Sequence, residues 1–160
     1  MISKSLKSRQ NELSNTQKQL EILEGHPFSN KQLPYFEDQL KHHKLPPIEP
    51  RELSILQINI GYMCNQVCAH CHVDAGPDRK EMMRLETMKE CIEVMKSNHI
   101  KTVDLTGGAP EMHPDFRWFV QEIRKQTTVE EIIVRSNLTI IMANKKYHDL
   151  PDFLRNKKFM

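Results

Sequence analysis

The chain has 160 residues with 23 basic and 21 acidic side chains, a formal charge of +2, and this near balance excludes a nucleic-acid module, which would carry a basic excess on one face. Leu, Ile, Val and Phe make up a quarter of the residues, enough to exclude wholesale disorder and to fill the core of one domain. No stretch approaches the roughly eighteen apolar residues of a membrane span, and no apolar run follows Lys4, Lys7 and Arg9 as a secretory signal requires, so a cytoplasmic protein with no membrane partner is expected.

Residues 1–52 are rich in Lys, Gln, Asn and Glu, and Leu6, Leu13 and Leu20 recur every seven positions. That period predicts a single amphipathic helix ending near Gly25, the C-terminal breaker. Three leucines are too few heptads for a coiled coil, so the helix is expected to pack on its own domain. Pro27, Pro34, Pro46, Pro47 and Pro50 then punctuate a shorter helical piece over 35–43. Residues 1–52 thus read as a helical polar extension, and the main domain as 53–160.

From Leu53 onward strands alternate with helices. Strands are predicted over 54–61, 101–106 and 130–137, and helices over 85–98, 114–126 and 147–157. Three strand-helix units in succession imply a parallel sheet with helical crossovers, an α/β fold. Successive side chains of a strand point to opposite faces, which groups Leu56, Ile58 and Ile60 with Val103, Leu105, Ile132 and Val134 on an apolar face. Gln57, Asn59, Asp104, Thr106, Arg135 and Asn137 fall on the other. A parallel sheet buried on both faces would read apolar throughout. One polar face suits the wall of a ligand-holding barrel, whose chemistry sits on the loops after the strands; the plainer alternative is an open sheet with one wet face.

The loop after the first strand holds Cys64, Cys68 and Cys71, spaced C-x-x-x-C-x-x-C. Disulfides are not expected in a reducing compartment. Three thiolates on one loop suit zinc, copper(I) or an iron-sulfur cluster. His70 or His72 could complete a Cys3His zinc site, although no second knuckle follows, and Cys68-Ala69-His70-Cys71-His72 also satisfies the covalent haem pattern. Three cysteines without a fourth suit a four-iron cluster with one iron left open. Cys91 shares a helical stripe with Leu85, Met88, Ile92 and Met95 and reads as a buried structural thiol.

With these residues in place the sequence resembles the radical S-adenosylmethionine superfamily, whose hallmark is C-x-x-x-C-x-x-C on the loop after the first strand. The run Thr106-Gly107-Gly108-Ala109-Pro110-Glu111 is similar to the superfamily's Gly-Gly-Glu-Pro segment, with Ala109 where that segment has Glu. Ser136 and Asn137 are similar to the polar strand end that borders the ribose. The resemblance implies a partial (β/α) barrel, a [4Fe-4S] cluster on Cys64, Cys68 and Cys71, and S-adenosylmethionine bound by Gly107, Gly108, Ala109, Pro110, Ser136 and Asn137. It also implies an electron donor for the cluster and a 5′-deoxyadenosyl radical acting on a small-molecule substrate.

Within the superfamily, the runs Cys71-His72-Val73-Asp74-Ala75-Gly76-Pro77-Asp78-Arg79, Asp104 to Glu111 and Arg135-Ser136-Asn137-Leu138-Thr139 look like the arsenosugar biosynthesis proteins. That branch implies transfer of the 5′-deoxyadenosyl group to a methylated arsenic(III) species. His70 departs from the aromatic residue that many members place before the third cysteine. At about 30 residues per unit, 53–160 holds about three βα units, so the chain is expected to represent the N-terminal half of the barrel, with a separate chain as the source of the rest. A zinc-stabilised binding module, or a catalytically inactive fragment, is the alternative.

Overall fold

A computed structural model describes residues 4–24, 34–49, 51–69 and 71–156. Residues Met1–Arg9 and Leu53–Met160 form one compact unit, and Gln10–Glu52 another. Residues 4–9 therefore group with the α/β unit, apart from the rest of the extension expected over 1–52.

In the Gln10–Glu52 unit, the single long helix expected up to Gly25 is replaced by a 3-10 turn at Glu12–Ser14 and a helix α1 at Thr16–Glu24, after a further 3-10 turn at Lys7–Arg9 in the other unit. Two asparagines explain the breaks. The Asn11 side chain accepts a hydrogen bond from the Leu13 N–H at 2.9 Å, and Asn15 accepts from the Lys18 N–H at 3.2 Å. Both are N-cap contacts, which start a new helical segment and end any continuous one. Leu13 and Leu20 consequently share no buried face and are 56% and 42% exposed. Helix α2 spans Phe36–His42. Gly25, Pro27 and Pro50, named as punctuation, lie outside the described residues, as does His70.

The other unit holds three parallel strands in the order β1 (Ile55–Asn59), β2 (Thr102–Thr106) and β3 (Glu131–Val134). Ile58 lies beside Leu105, Val103 beside Ile132, and Gln57 beside Asp104. The connecting helices are α3 (Leu85–Ser97) and α4 (Phe116–Gln126). Their apolar stripes, Met88, Ile92 and Met95 on α3 and Phe116, Phe119, Val120 and Ile123 on α4, join Ile58, Val103, Leu105 and Ile132 in one buried core. The 3.6-residue period of the helices thus meets the two-residue period of the strands on one face of the sheet. No helix among the described residues is long and apolar enough to cross a membrane.

The polar face expected from the strands is present as a ladder. Asp104 accepts from Gln57 Nε2 at 2.9 Å and from Arg135 Nε and Nη2 at 2.9 and 2.7 Å. Among the described residues the three strands do not close into a barrel; they form an open sheet with β1 and β3 at its edges. The expected last helix is α6 (Leu150–Asn156), and a short helix α5 (Thr139–Ala143) precedes it in the stretch between the third predicted strand and the last predicted helix, where no element was expected.

Candidate functional site

The cysteines sit on the long loop from β1 to α3, which is closed on itself by backbone pairing. Tyr62 N–H donates to the Glu81 carbonyl at 2.9 Å, Gly76 N–H to Tyr62 at 3.1 Å, Cys64 N–H to Gly76 at 3.2 Å, and Met83 N–H to Ile60 at 3.0 Å. These bonds hold a loop of over twenty residues without a sheet of its own. Cys64 is buried against Ala75 and Ala109, Cys71 is half-buried, and Cys68 is exposed. The Cys71 N–H donates to the Cys68 carbonyl at 3.1 Å.

Hydrogen bonds to the sulfurs are uneven. Cys64 Sγ receives the Gln66 N–H and the Asn137 side-chain amide, each at 3.4 Å. Cys71 Sγ receives the Ala75 N–H at 3.3 Å. Among the described residues none reaches Cys68. Burial pushes the Cys64 thiol up, the Gln66 N–H pulls it back, and the neighbouring Cys68, Cys71 and Glu111 push it further up.

The loop after β2 is laid against this one. Gly108 N–H donates to the Gly61 carbonyl at 2.9 Å and Ala109 N–H to the Met63 carbonyl at 2.8 Å. A Cβ at Gly107 would stand 2.4 Å from the Gly61 oxygen, and one at Gly108 2.3 Å from the Met63 oxygen. Gly107 also has φ +147°, in the region that favours glycine. Both glycines are thus required by close backbone approach to the cysteine loop. Pro110 opens a 3-10 turn at Pro110–Met112 that buries Glu111. Glu111 is 4% exposed, its Oε1 accepts from Ser136 Oγ at 2.5 Å, and among the described residues its Oε2 has no hydrogen-bond partner.

The loop after β3 completes the site. Ser136 binds Glu111, and Asn137 reaches both Cys64 and Asn65. All three strands therefore deliver predicted site residues at their C-terminal ends, and Cys64, Gly107, Gly108, Ala109, Ser136 and Asn137 are brought together. Cys68, on the same loop, is exposed. Cys91 is half-buried on α3 against the core, where burial pushes its thiol up. Among the described residues no three His, Cys, Asp or Glu side chains gather tightly enough to hold a single metal ion.

Several residues at the site carried no signal in the sequence. Asp74 accepts the Leu6 and Lys7 N–H groups at 2.5 and 2.9 Å, and Asp78 accepts Ser5 N–H at 3.2 Å and Ser5 Oγ at 2.6 Å as well as the Ser8 hydroxyl. Residues 5–8 are thereby strapped onto the cysteine loop. Arg79 is buried there, donating to the Asp74 carbonyl at 2.6 Å and to Glu81 at 3.0 Å, with its guanidinium 4.7 Å from the Tyr62 ring centre. His113 joins the loops by contacting the Met83 carbonyl at 2.9 Å while its Nδ1 accepts the Asp115 N–H. The partners of Asp74 and Asp78 in residues 5–8, and the Met83 partner of His113, are distant in sequence, and only the Asp and Arg content of 74–79 could have hinted at them.

The chain is similar to the GTP 3',8-cyclase of Heliobacterium modesticaldum, with 28% identity over 90 residues, 54% of this chain and 28% of that protein. Similarity to the GTP 3',8-cyclase of Clostridium perfringens reaches 33% identity over 98 residues, 59% of this chain and 30% of that protein. The antilisterial bacteriocin subtilosin biosynthesis protein AlbA of Bacillus subtilis is 25% identical over 80 residues, 50% of this chain and 17% of that protein. The chain spans less than a third of the length of each of these relatives. They carry the resemblance to the superfamily and not to its arsenosugar branch. The pattern of the Radical SAM superfamily itself matches residues 58–156, which include the three cysteines, the paired glycines and Asn137: the chain belongs to the radical SAM superfamily of enzymes.

Proposed function

We propose that residues 53–160 form the cofactor-binding part of a radical S-adenosylmethionine enzyme. Cys64, Cys68 and Cys71 hold a [4Fe-4S] cluster, and the loops after β2 and β3 hold S-adenosylmethionine through Gly107, Gly108, Ala109, Pro110, Ser136 and Asn137. The observation that carries this reading is the meeting of three strand-end loops around Cys64, with N–H groups already aimed at two of the three sulfurs. Such donors are the usual companions of metal-bound thiolates. A second support is Glu111, whose buried and unpartnered Oε2 is the kind of acceptor that a ligand's ammonium group satisfies.

When bound, the cluster and S-adenosylmethionine supply one-electron reduction of a sulfonium, with the electron from an external donor. The chain's own residues fix the geometry around it. Gly107 and Gly108 let the two loops touch, and Arg79 with Asp74 pins the turn that follows Cys71. As substrate we propose a methylated arsenic(III) species, supported by the runs 71–79, 104–111 and 135–139. The cyclase likeness covers under a third of each cyclase and carries shared cofactor chemistry in preference to GTP. A separate polypeptide that adds strands would cover the polar face, where the Arg135 side chain is 60% exposed, and keep water from a radical.

Anaerobic reconstitution with iron and sulfide tests the reading. Iron and sulfide in equal amounts, with charge-transfer absorption lost in Cys64→Ala, Cys68→Ala and Cys71→Ala, are expected. Zinc in their place, or absorption that survives in all three variants, overturns it. The isolated chain is expected to release no 5′-deoxyadenosine from the cofactor under reducing conditions; release that depends on Cys64 would show that no further strands are needed.

A further inference from the structure

The resemblance assigns Asn137 to the cofactor's ribose; its side-chain amide is engaged within the chain, which leaves its backbone for a cofactor contact. Asn137 Oδ1 accepts the Thr139 N–H at 2.9 Å and the Thr139 hydroxyl at 2.7 Å. A backbone N–H can only donate, so the amide oxygen must face Thr139 and the NH2 group must face the other way. On that side lie Cys64 Sγ at 3.4 Å and Asn65 Oδ1 at 3.1 Å. Asn65 in turn donates from Nδ2 to Thr139 Oγ1 at 2.8 Å. Asn65, Thr139 and Asn137 form a closed ring, in which each donor has one direction and the Asn137 N–H is held on the sulfur.

We infer that Asn137 is a potential-setting residue: its side-chain N–H, oriented by Asn65 and Thr139, donates to the Cys64 thiolate and raises the reduction potential of the cluster bound there. The inference rests on the cluster reading above. Adding an electron to a cluster increases negative charge on its sulfurs, and an N–H donor stabilises that reduced state more than the oxidised one. The electron comes from an external one-electron reductant, and no protein bond is made or broken. Cys64 receives two donors and Cys71 one, so the Asn137 contact is the side-chain contribution to this set and can be removed without altering the backbone. It also ties the end of β3 to the cysteine loop across 73 residues of sequence, so the loop that faces the cofactor and the cluster's potential are linked through one amide.

The test is an anaerobic redox titration of the reconstituted full chain, with the reduced cluster followed by electron paramagnetic resonance, alongside iron and sulfide analysis. Asn137→Leu removes the donor at similar volume and is expected to move the midpoint to a more negative potential with iron content unchanged. Asn137→Asp keeps the shape but places an anion on the sulfur, and is expected to move it further. Thr139→Val loosens the ring while retaining the Thr139 backbone N–H, and is expected to give the smallest shift in the same direction. Equal midpoints in wild type and variants at equal iron content, or shifts to more positive potential, overturn the inference. Loss of iron from all three variants with an unchanged far-ultraviolet circular dichroism spectrum also overturns it, since Asn137 would then serve assembly and not potential. A wild-type chain that takes up no cluster overturns the cluster reading itself, and this inference with it.

Discussion

The two faces of the sheet are built from the same three strands yet become buried by different means. On one face, Ile58, Val103, Leu105 and Ile132 lie under α3 and α4 in a continuous apolar core. On the other, Asp104 is 4% exposed because the side chains of Gln57 and Arg135 cover it. The first kind of burial is non-directional and grows with area; the second depends on a few oriented bonds and on ionisation. Stability should therefore come from the helix-covered face, and the polar face should contribute less and respond to pH. The site draws on both, since its loops leave the strands where the polar ladder ends.

The largest effect tests the covered face. Phe119 is fully buried, so Phe119→Ala is expected to lower stability by about 3–5 kcal/mol, read from the midpoint of urea unfolding at an unchanged slope. Ile133→Ala, on the polar face at 37% exposure, is expected to cost under about 1 kcal/mol. Equal losses from the two would break the comparison.

A smaller effect is expected from the ladder. Arg135 holds the Asp104 carboxyl below the usual carboxylate range, helped by Gln57 and opposed by burial. Asp104→Asn loses the charge and keeps the shape, and is expected to cost about 1.5–3 kcal/mol at neutral pH, the usual range for a hydrogen bond to a charged group. Because the folded state binds the proton less readily than the unfolded one, this contribution is complete above the unfolded value near 4 and is lost as pH falls through the folded value. The difference between wild type and Asp104→Asn should therefore shrink only below about pH 4. A difference that shrinks at higher pH would show that Asp104 is not the group involved.

The alternation of strands and helices was legible because it rests on local periodicity, and the sorting of Ile58 from Gln57 or Val103 from Asp104 needs only the pleat. The paired glycines were legible as a place of close approach, although the partner proved to be the cysteine loop's own backbone. What remained hidden depends on contacts between distant positions. Ser5 meets Asp78 across 73 residues, and Asn65 meets Thr139 across 74; neither pairing leaves a periodic trace. Glu111 sits between Pro110 and Met112 in a turn-forming stretch with no periodicity and gives no sign of burial. The heptad leucines misled because Asn11 and Asn15 cap new segments, a local competition that spacing alone does not register.

The smallest global effect is expected where neither a core nor a buried pair is involved, in the strap of residues 5–8. Hydrogen bonds from Ser5 and Ser8 hold the Asp78 carboxyl far below the usual range, yet the strap's contacts are polar and, the buried Ser5 apart, border solvent, and such contacts open locally without unfolding the rest. Asp78→Asn leaves a side-chain amide whose oxygen can accept only part of what the carboxylate did, while Asp74 still holds Leu6 and Lys7. The unfolding midpoint should stay within error of wild type, whereas amide exchange at Ser5 should accelerate, and a double variant with Asp74→Asn should extend the acceleration to Leu6 and Lys7. In wild type the same release requires acid: the depressed carboxyl remains ionised through the usual carboxylate range, and the strap should fray only when pH falls well below about 4. A drop in the unfolding midpoint as large as that of Asp104→Asn would show that the strap is part of the core and not a clasp on the cysteine loop.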